Sequence, residues 1–491
     1  MTVFCLFVEK KMNATDIGLL IAGYFLILIV ISLLTGKKSD NETFFTGNHK
    51  SPWYVVSIGM VGASLSGVTF ISVPGWVNAS QFTYLQMVLG FVLGYFVIAN
   101  LLLPLYYRLN LTSIYTYLGN RFGEWTYQSG ALLFIVSRTV GASARLYLMA
   151  SVLQLAVADA FNIPFAVTVF ATICLIWLYT FRSGIKTIIW TDTLQTILLI
   201  TAVVVTIYYI SGELNLNFEN LVSTISESNY SKIWVWNDWA APNHFLKQFF
   251  AGMFTTIVMT GLDQDMMQKN LTCKNLKEAK KNMYWYGFAF LPVNILFLSV
   301  GALLFIYAAH IGMKLPARAD DLYPTLALNG YLPASVSIFF ILGLVAAAYS
   351  SADSALTSLT TSFSLDILKI AKMTEKQARR TRYKVHIGFS LLIGIIIIIF
   401  RILNQDSIIN TIYILAGYTY GPLLGLFAFG LFTKFQIKDK WVPLVVIIPP
   451  LITGILDYNA QNWFGFSFGY EKLMLNGLLT FIMLLLIKKK S

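Results

Sequence analysis

Apolar segments long enough to cross a lipid bilayer recur along the whole chain, and no other feature restricts its fold as strongly. A helix needs about 20 apolar residues to span the hydrocarbon core. Hydrophobic residues make up 57% of the 491 residues and charged residues only 12%, with a mean hydropathy of +0.68. The sequence therefore predicts an all-α membrane protein, one polytopic domain over 1–491 with about thirteen transmembrane helices. The predicted spans are 15–35, 52–77, 83–107, 125–158, 163–181, 187–211, 244–268, 282–311, 332–368, 384–403, 407–433, 441–457 and 473–487.

The distribution of basic residues predicts the orientation of the chain in the membrane. If the N-terminus lies outside, most of the 35 lysine and arginine residues fall in connections on the cytoplasmic side. That bias is typical of cytoplasmic loops, so we expect the C-terminus in the cytoplasm and the protein in the cell membrane. The cytoplasmic set includes Lys37, Lys38, Arg182, Lys269, the runs CKNLKEAKK and EKQARRTRYK, and Lys488 to Lys490.

Several classes of function are excluded by what the sequence lacks. It has no GxxxxGK[ST] phosphate-binding loop, which argues against an ATP-driven pump. Cys5, Cys174 and Cys273 have neither disulfide-like nor zinc-ligand spacing, and the four histidines are scattered. The spans show no paired nucleophile and base, so an enzyme is not expected. The net charge of +12 is explained by cytoplasmic loops, so nucleic-acid binding is not expected either.

One predicted span carries a ladder of hydroxyl groups and an acid, within AAAYSSADSALTSLTTSFSLD at residues 346–366. Helical spacing places Ser350, Ser351 and Ser354 on one stripe, with Asp353 beside it. A serine in a membrane helix often bonds its own backbone, which explains single serines. It does not explain Asp353, because a buried carboxylate needs a cation or a proton. Hydroxyl and carbonyl oxygens suit a hard monovalent cation, so the stretch predicts half of a Na+ site.

Two other spans contain signals for an interruption of the helix. VGASLSGVTFISVPGW combines Gly62, Gly67 and Pro74 with small polar residues, and AGMFTTIVMTGLDQ places Thr260 before Gly261. Membrane helices release backbone carbonyls only where a break lines a cavity. One interrupted helix in each half of a chain is typical of a transporter built from inverted repeats, with its site near the midplane.

Ionisable residues within the spans are further candidates for function, because burying a charge in a membrane is costly. They are Arg138, Arg145, Asp192 and Asp353. Asp263 and Asp265 lie near the cytoplasmic end of their span, and the sequence leaves open whether they are simply solvated.

Three stretches together resemble the sodium:solute symporter family, which includes sodium–glucose, sodium–sialic acid and sodium–proline cotransporters. They are SGIKTIIWTDTLQ, GLDQDMMQKNLTCKNLKEAKKN and AAAYSSADSALTSLTTSFSLDIL. The resemblance covers nearly the whole chain and implies the LeuT-type fold, two inverted repeats of five helices. The implied repeats are 52–211 and 244–433, with a peripheral first helix at 15–35 and peripheral C-terminal helices within 441–487.

The resemblance also implies positions for two Na+ sites. In the first, the ligands are the backbone carbonyls of Gly62, Leu65 and Ala347 and the hydroxyls of Ser350 and Ser351.

A second Na+ site, present in some members of the family, corresponds to Asp192, Asp353 and Ser354 together with Ser350. Many relatives carry a hydroxyl where Asp353 stands. The carboxylate therefore either strengthens a second Na+ site or accepts a proton.

For the solute, the resemblance implies a pocket between the broken helices. The expected residues are Ser64, Ser66, Thr69, Tyr84, Gln86 and Thr256. Met259 stands where some sugar transporters of the family have an inner aromatic gate. Val88 falls near the position of a polar residue that binds a sugar or an acid in several members. Because of these two differences, we do not expect this pocket to copy the sugar or sialic acid site of the family closely. Arg138 either grips a solute carboxylate or forms an internal salt bridge.

The sequence thus predicts a Na+-coupled symporter that imports a small polar solute by alternating access. Sugars, polyols, sialic acid, carboxylates and amino acids all remain open as solutes, and no obligatory protein partner is evident. A proton-coupled carrier of the same fold is the main alternative, and a channel is the other.

Overall fold

The computed structural model of the chain describes residues 14–35, 41–180, 184–403, 408–466 and 468–489. Within these ranges the chain is helical, with two isolated β-bridges and no strand. The predicted cytoplasmic residues Lys37, Lys38, Arg182 and Lys490, like Cys5, lie outside the described residues. The main helices are α1 Ala14–Thr35, α2 Trp53–Ser80, α3 Tyr84–Arg108, α4 Glu124–Ala156, α5 Phe165–Thr180, α6 Ile185–Glu213, α7 Phe245–Gly261, α8 Gln264–Asn270, α9 Leu276–His310, α10 Ala334–Ile367, α11 Glu375–Leu403, α12 Ile408–Phe432, α13 Val442–Phe464 and α14 Lys472–Leu486.

These helices follow the predicted spans in order, with α7 and α8 together occupying the span predicted at 244–268. Eight are long and apolar enough to cross a bilayer, and the number rises to 10 if each of two bent pairs forms one span. Three shorter apolar helices are α5, α14 and residues Ala416–Phe432 of α12. The exact number of crossings, and the boundaries of the two repeats, therefore stay predictions.

The first break lies in the middle of α2, at Ser66. Its backbone has φ 34° and ψ 164°, outside the helical region, and the parts Trp53–Gly67 and Thr69–Ser80 differ in direction by 58°. A non-glycine residue with positive φ is uncommon and occurs mainly where the surrounding structure requires it. At a helix end, the carbonyls of the last turn have no intrahelical donors, and a break within a helix creates such an end.

The second break separates α7 from α8, whose axes differ by 69°. Asp263 begins α8 as its N-cap, and its Oδ1 accepts hydrogen bonds from the amides of Asp265 at 2.9 Å and Met266 at 3.2 Å. The side chain replaces helical acceptors that the break removes. Both breaks therefore occur within the spans in which the sequence predicts them.

Helix α10 carries the hydroxyl ladder through the centre of the molecule. Every residue from 346 to 362 is buried, and the helix packs against α2, α4 and α6. Close contact of α2 with α6 depends on Gly62, because a Cβ atom there would collide with the Thr196 hydroxyl. The broken helix and α10 are thus brought together inside the protein.

Helices α3 and α7 are in backbone contact through two glycines. A Cβ atom at Gly90 would collide with the carbonyl oxygen of Phe249, and one at Gly252 with that of Met87. Small residues allow membrane helices to approach this closely.

Candidate functional site

The break in α2 faces the pair of adjacent serines on α10. The hydroxyl of Ser351 donates to the carbonyl oxygen of Ala63 at 3.2 Å. Ala63 lies between Gly62 and Leu65, whose carbonyls the resemblance implies as Na+ ligands. Ser350 and Ser351 are both 0% exposed, and Ala347 is 1% exposed. The structure therefore brings the five predicted residues of the first Na+ site into one buried region.

Asp192 on α6 links this region to α8. Its Oδ1 accepts from the hydroxyl of Ser350 at 2.6 Å, and its Oδ2 lies 2.7 Å from the Nζ atom of Lys269. Both side chains of this ion pair are 1% exposed. The sequence places Lys269 in a connection between spans, whereas in the structure it belongs to α8 and is turned inward to neutralise a buried carboxylate.

Asp353 lies about one turn after Ser350 on α10 and is fully buried. Its Oδ2 accepts from the hydroxyl of Tyr179 on α5 at 2.9 Å, whereas its Oδ1 has no hydrogen-bond partner among the described residues. The Ser354 hydroxyl likewise has no hydrogen-bond partner of acceptable geometry among the described residues. Asp192 and Lys269 are close enough to act on Asp353 electrostatically. The predicted residues of the second site therefore lie together, and Lys269, which the sequence does not predict there, lies beside them.

A central cavity lies between α2, α3, α4, α7 and α9. Of the eight residues predicted to bind the solute, all but Gln86 line it: Ser64, Ser66, Thr69, Tyr84, Arg138, Thr256 and Met259. Gln86 instead binds the connection between α6 and α7, donating to the carbonyl of Asn243 at 2.9 Å and accepting from the amide of Val235 at 3.1 Å.

Sequence reasoning missed several residues of this cavity, above all Tyr286. Its hydroxyl lies 2.5 Å from the Ser64 hydroxyl and accepts from Tyr95 at 2.8 Å. Tyr286 lies in the apolar sequence of α9, where only its phenol distinguishes it from neighbouring aromatic residues. The other unforeseen lining residues are Ala63, Phe91, Tyr95, Thr255, Thr260, Met266 and Phe290, together with Arg145, which the sequence marks only as a buried charge.

Arg138 connects the cavity to the second break. Its Nη2 forms an ion pair with Asp265, and its Nη1 lies 3.9 Å from Asp263, which also accepts a hydrogen bond from Tyr420 on α12. Asp263 and Asp265 are 0% and 1% exposed. They are therefore not solvated, because the arginine supplies the charge that lets two carboxylates remain buried.

Two broken helices, a hydroxyl-lined helix between them and a central cavity define a secondary transporter of the LeuT type. The chain belongs to the sodium:solute symporter family, whose family model matches residues 44–436.

Individual relatives agree with this assignment. The sodium/sialic acid symporter NanT of Aliivibrio fischeri is 27% identical over 81% of this chain and 79% of its own length. The human sodium/iodide cotransporter is 24% identical over 84% of this chain and 65% of its own length. A solved structure of a Na+-coupled sialic acid symporter, in a substrate-bound outward-open state, superposes with a TM-score of 0.81 at 20% identity, covering 97% of this chain and 99% of that chain.

These comparisons confirm the predicted LeuT-type helical fold and a multi-pass membrane protein. Family membership also confirms Na+-coupled symport of a small-molecule solute, with Na+ as the coupling ion and no enzymatic reaction. The proton-coupled alternative is not favoured. The individual Na+ and solute ligands stay predictions.

Proposed function

We propose that this symporter imports a small organic anion, of which a carboxylate is the simplest case. The observation that carries the proposal is the presence of two arginines, Arg138 and Arg145, in the lining of one cavity. Guanidinium groups bind carboxylates through two parallel hydrogen bonds, which makes an arginine in a cavity wall a specific partner for such an anion. The relatives named above transport sialic acid and iodide, both of which are anions.

Hydroxyl groups on the cavity wall favour an organic anion over a bare halide. Ser64, Thr69, Thr256 and Tyr286 all line the cavity and can bind polar groups of a carbon skeleton. Arg138 keeps one donor for such a ligand, because its Nε has no hydrogen-bond partner among the described residues.

A stability screen tests the choice of solute. Purified protein is heated with carboxylates and with the neutral amides of the same skeletons, in NaCl and in choline chloride. We expect carboxylates to raise the Tm in NaCl only, because a ligand stabilises the state that it binds. Equal stabilisation by the amides would overturn the proposed anion, while a Tm shift by NaCl alone would leave Na+ coupling intact.

For the first Na+ site we propose the carbonyls of Gly62, Leu65 and Ala347 and the hydroxyls of Ser350 and Ser351. Support comes from the break at Ser66 and from the contact between Ser351 and the Ala63 carbonyl. Neutral oxygens hold Na+ weakly enough for release in each cycle. Binding of Na+ across α2 and α10 favours the outward-open state and orders the solute cavity, since a ligand shifts a population by its differential affinity.

For the second Na+ site we propose Asp353 and Ser354 as ligands, with Asp192 contributing negative charge from beside them. The unpartnered Oδ1 of Asp353 supports this assignment. Asp353→Asn is expected to lower the Hill coefficient of Na+-dependent uptake from about two toward one, because the site loses its only uncompensated charge. An unchanged Hill coefficient would instead assign the carboxylate to a proton.

We propose further that the protein lies in the plasma or inner membrane, with its N-terminus outside and its C-terminus in the cytoplasm. Basic residues of the cytoplasmic connections support this orientation. The two repeats are 52–211 and 244–433, and the transporter works without an obligatory protein partner.

A further inference from the structure

The ion pair of Lys269 with Asp192 is the feature that neither the family resemblance nor the proposed Na+ sites explain. We infer that Lys269 acts as an internal cation that keeps Asp192 from ligating Na+ and makes it a positioning residue for Ser350. Lys269 would thereby set how many Na+ ions the protein binds. This inference rests on the proposed Na+ sites, and it concerns the role of one carboxylate within them.

Both oxygens of Asp192 are already engaged. Oδ1 accepts a hydrogen bond from Ser350 at 2.6 Å, and Oδ2 forms an ion pair with the ammonium of Lys269 at 2.7 Å. A hydroxyl has one hydrogen and two lone pairs. Because Ser350 gives its hydrogen to Asp192, its lone pairs are left for a cation, and Ser351 is arranged in the same way by the Ala63 carbonyl. Asp192 therefore orients a ligand instead of serving as one.

The charges of the region lead to the same conclusion. Asp192, Asp353 and Lys269 are each at most 1% exposed, so water screens their interactions poorly. Two carboxylates and one ammonium leave one negative charge, which one added cation neutralises. A further cation ligated directly by Asp192 would face the ammonium on Oδ2 at close range, which costs free energy in a buried site. Without the ammonium, the same carboxylate would attract an alkali ion to the vacated position.

Direct counting of bound ions tests this role without relying on transport. Purified variants are equilibrated with 22Na+ in detergent, and the bound ions per protein are measured at saturation. Lys269→Gln is expected to bind one Na+ more than the wild type, because Asp192 becomes available as a ligand. Lys269→Arg is the conservative control and should keep the wild-type number, since a guanidinium also neutralises Asp192.

The double variant Asp192→Asn/Lys269→Gln keeps the test decisive if the single variant fails to fold, because it buries no unpaired charge. Our inference requires it to bind the wild-type number of Na+ ions. A loss of one ion in this variant would make Asp192 a Na+ ligand and overturn the inference. The inference would also be overturned if Lys269→Gln folded and bound no additional Na+ ion. If the wild type itself bound no Na+, the proposed sodium sites would fail, a result distinct from either of these.

Discussion

Replacing Ser351 by alanine is expected to lower the apparent affinity for Na+ at least ~10-fold, which corresponds to about 1.4 kcal/mol. The substitution removes a proposed ligand and also the hydrogen bond to Ala63 that ties α10 to the broken turn of α2. The concentration of Na+ that gives half-maximal uptake measures the change directly. The Tm increase produced by NaCl should move to higher concentrations in parallel.

Ser358→Ala is the matched control for this variant. Ser358 is 1% exposed on the same helix, but its hydroxyl donates to the carbonyl of Ala355 within that helix at 3.0 Å. Because this bond only satisfies its own backbone, we expect an almost unchanged Na+ dependence. If Ser351→Ala behaved like this control, the first Na+ site would have to lie elsewhere.

Replacing Arg138 by glutamine is expected to abolish uptake and to lower the free energy of unfolding by about 3–5 kcal/mol, the usual cost of removing one member of a buried ion pair. Asp265 then stays buried without its guanidinium partner. Thermal unfolding and uptake of the identified solute measure the two effects. Arg401→Gln, at the exposed end of α11, should change neither strongly.

A second substitution separates stability from recognition at Arg138. In Arg138→Gln/Asp265→Asn the closer ion pair is replaced by two neutral amides, so we expect part of the stability to return, with Asp263 still held by its hydrogen bonds from Tyr420 and the α8 amides. Uptake should stay absent if Arg138 also holds the solute. Recovery of uptake together with stability would limit Arg138 to an internal salt bridge, which is the other role that the sequence leaves open for it.

The parts of the molecule that the sequence predicts well are those with a local signal. The breaks in α2 and after α7 are marked by glycine, proline and small polar residues within otherwise apolar spans. The hydroxyl ladder of α10 is equally visible, because serine beside Asp353 has no place in a lipid-facing helix. Local composition therefore located the spans, both breaks and the helix that faces them.

Contacts made by tertiary packing were not predictable in the same way. Lys269 directly follows the span predicted at 244–268 and is expected in the connection after it, and only the bend after α7 turns it toward Asp192. Gln86 lies among cavity residues in sequence, yet its side-chain amide bonds to the connection between α6 and α7. Nothing in the local sequence marks Tyr286 as a cavity residue, because its partner Ser64 is 222 positions away. In each case the partner comes from a distant segment of the chain.

The two glycine contacts between α3 and α7 limit how the transporter can open. Where the main chains of two helices touch, no side chain lies between them to change rotamer, so sliding or separating the pair would break dense packing over several turns. We therefore expect these helices to move as one rigid body that carries Tyr84 on one member and Thr256 on the other. Entry and exit routes for the solute are then expected along its flanks, with the spacing between those two side chains constant through the cycle.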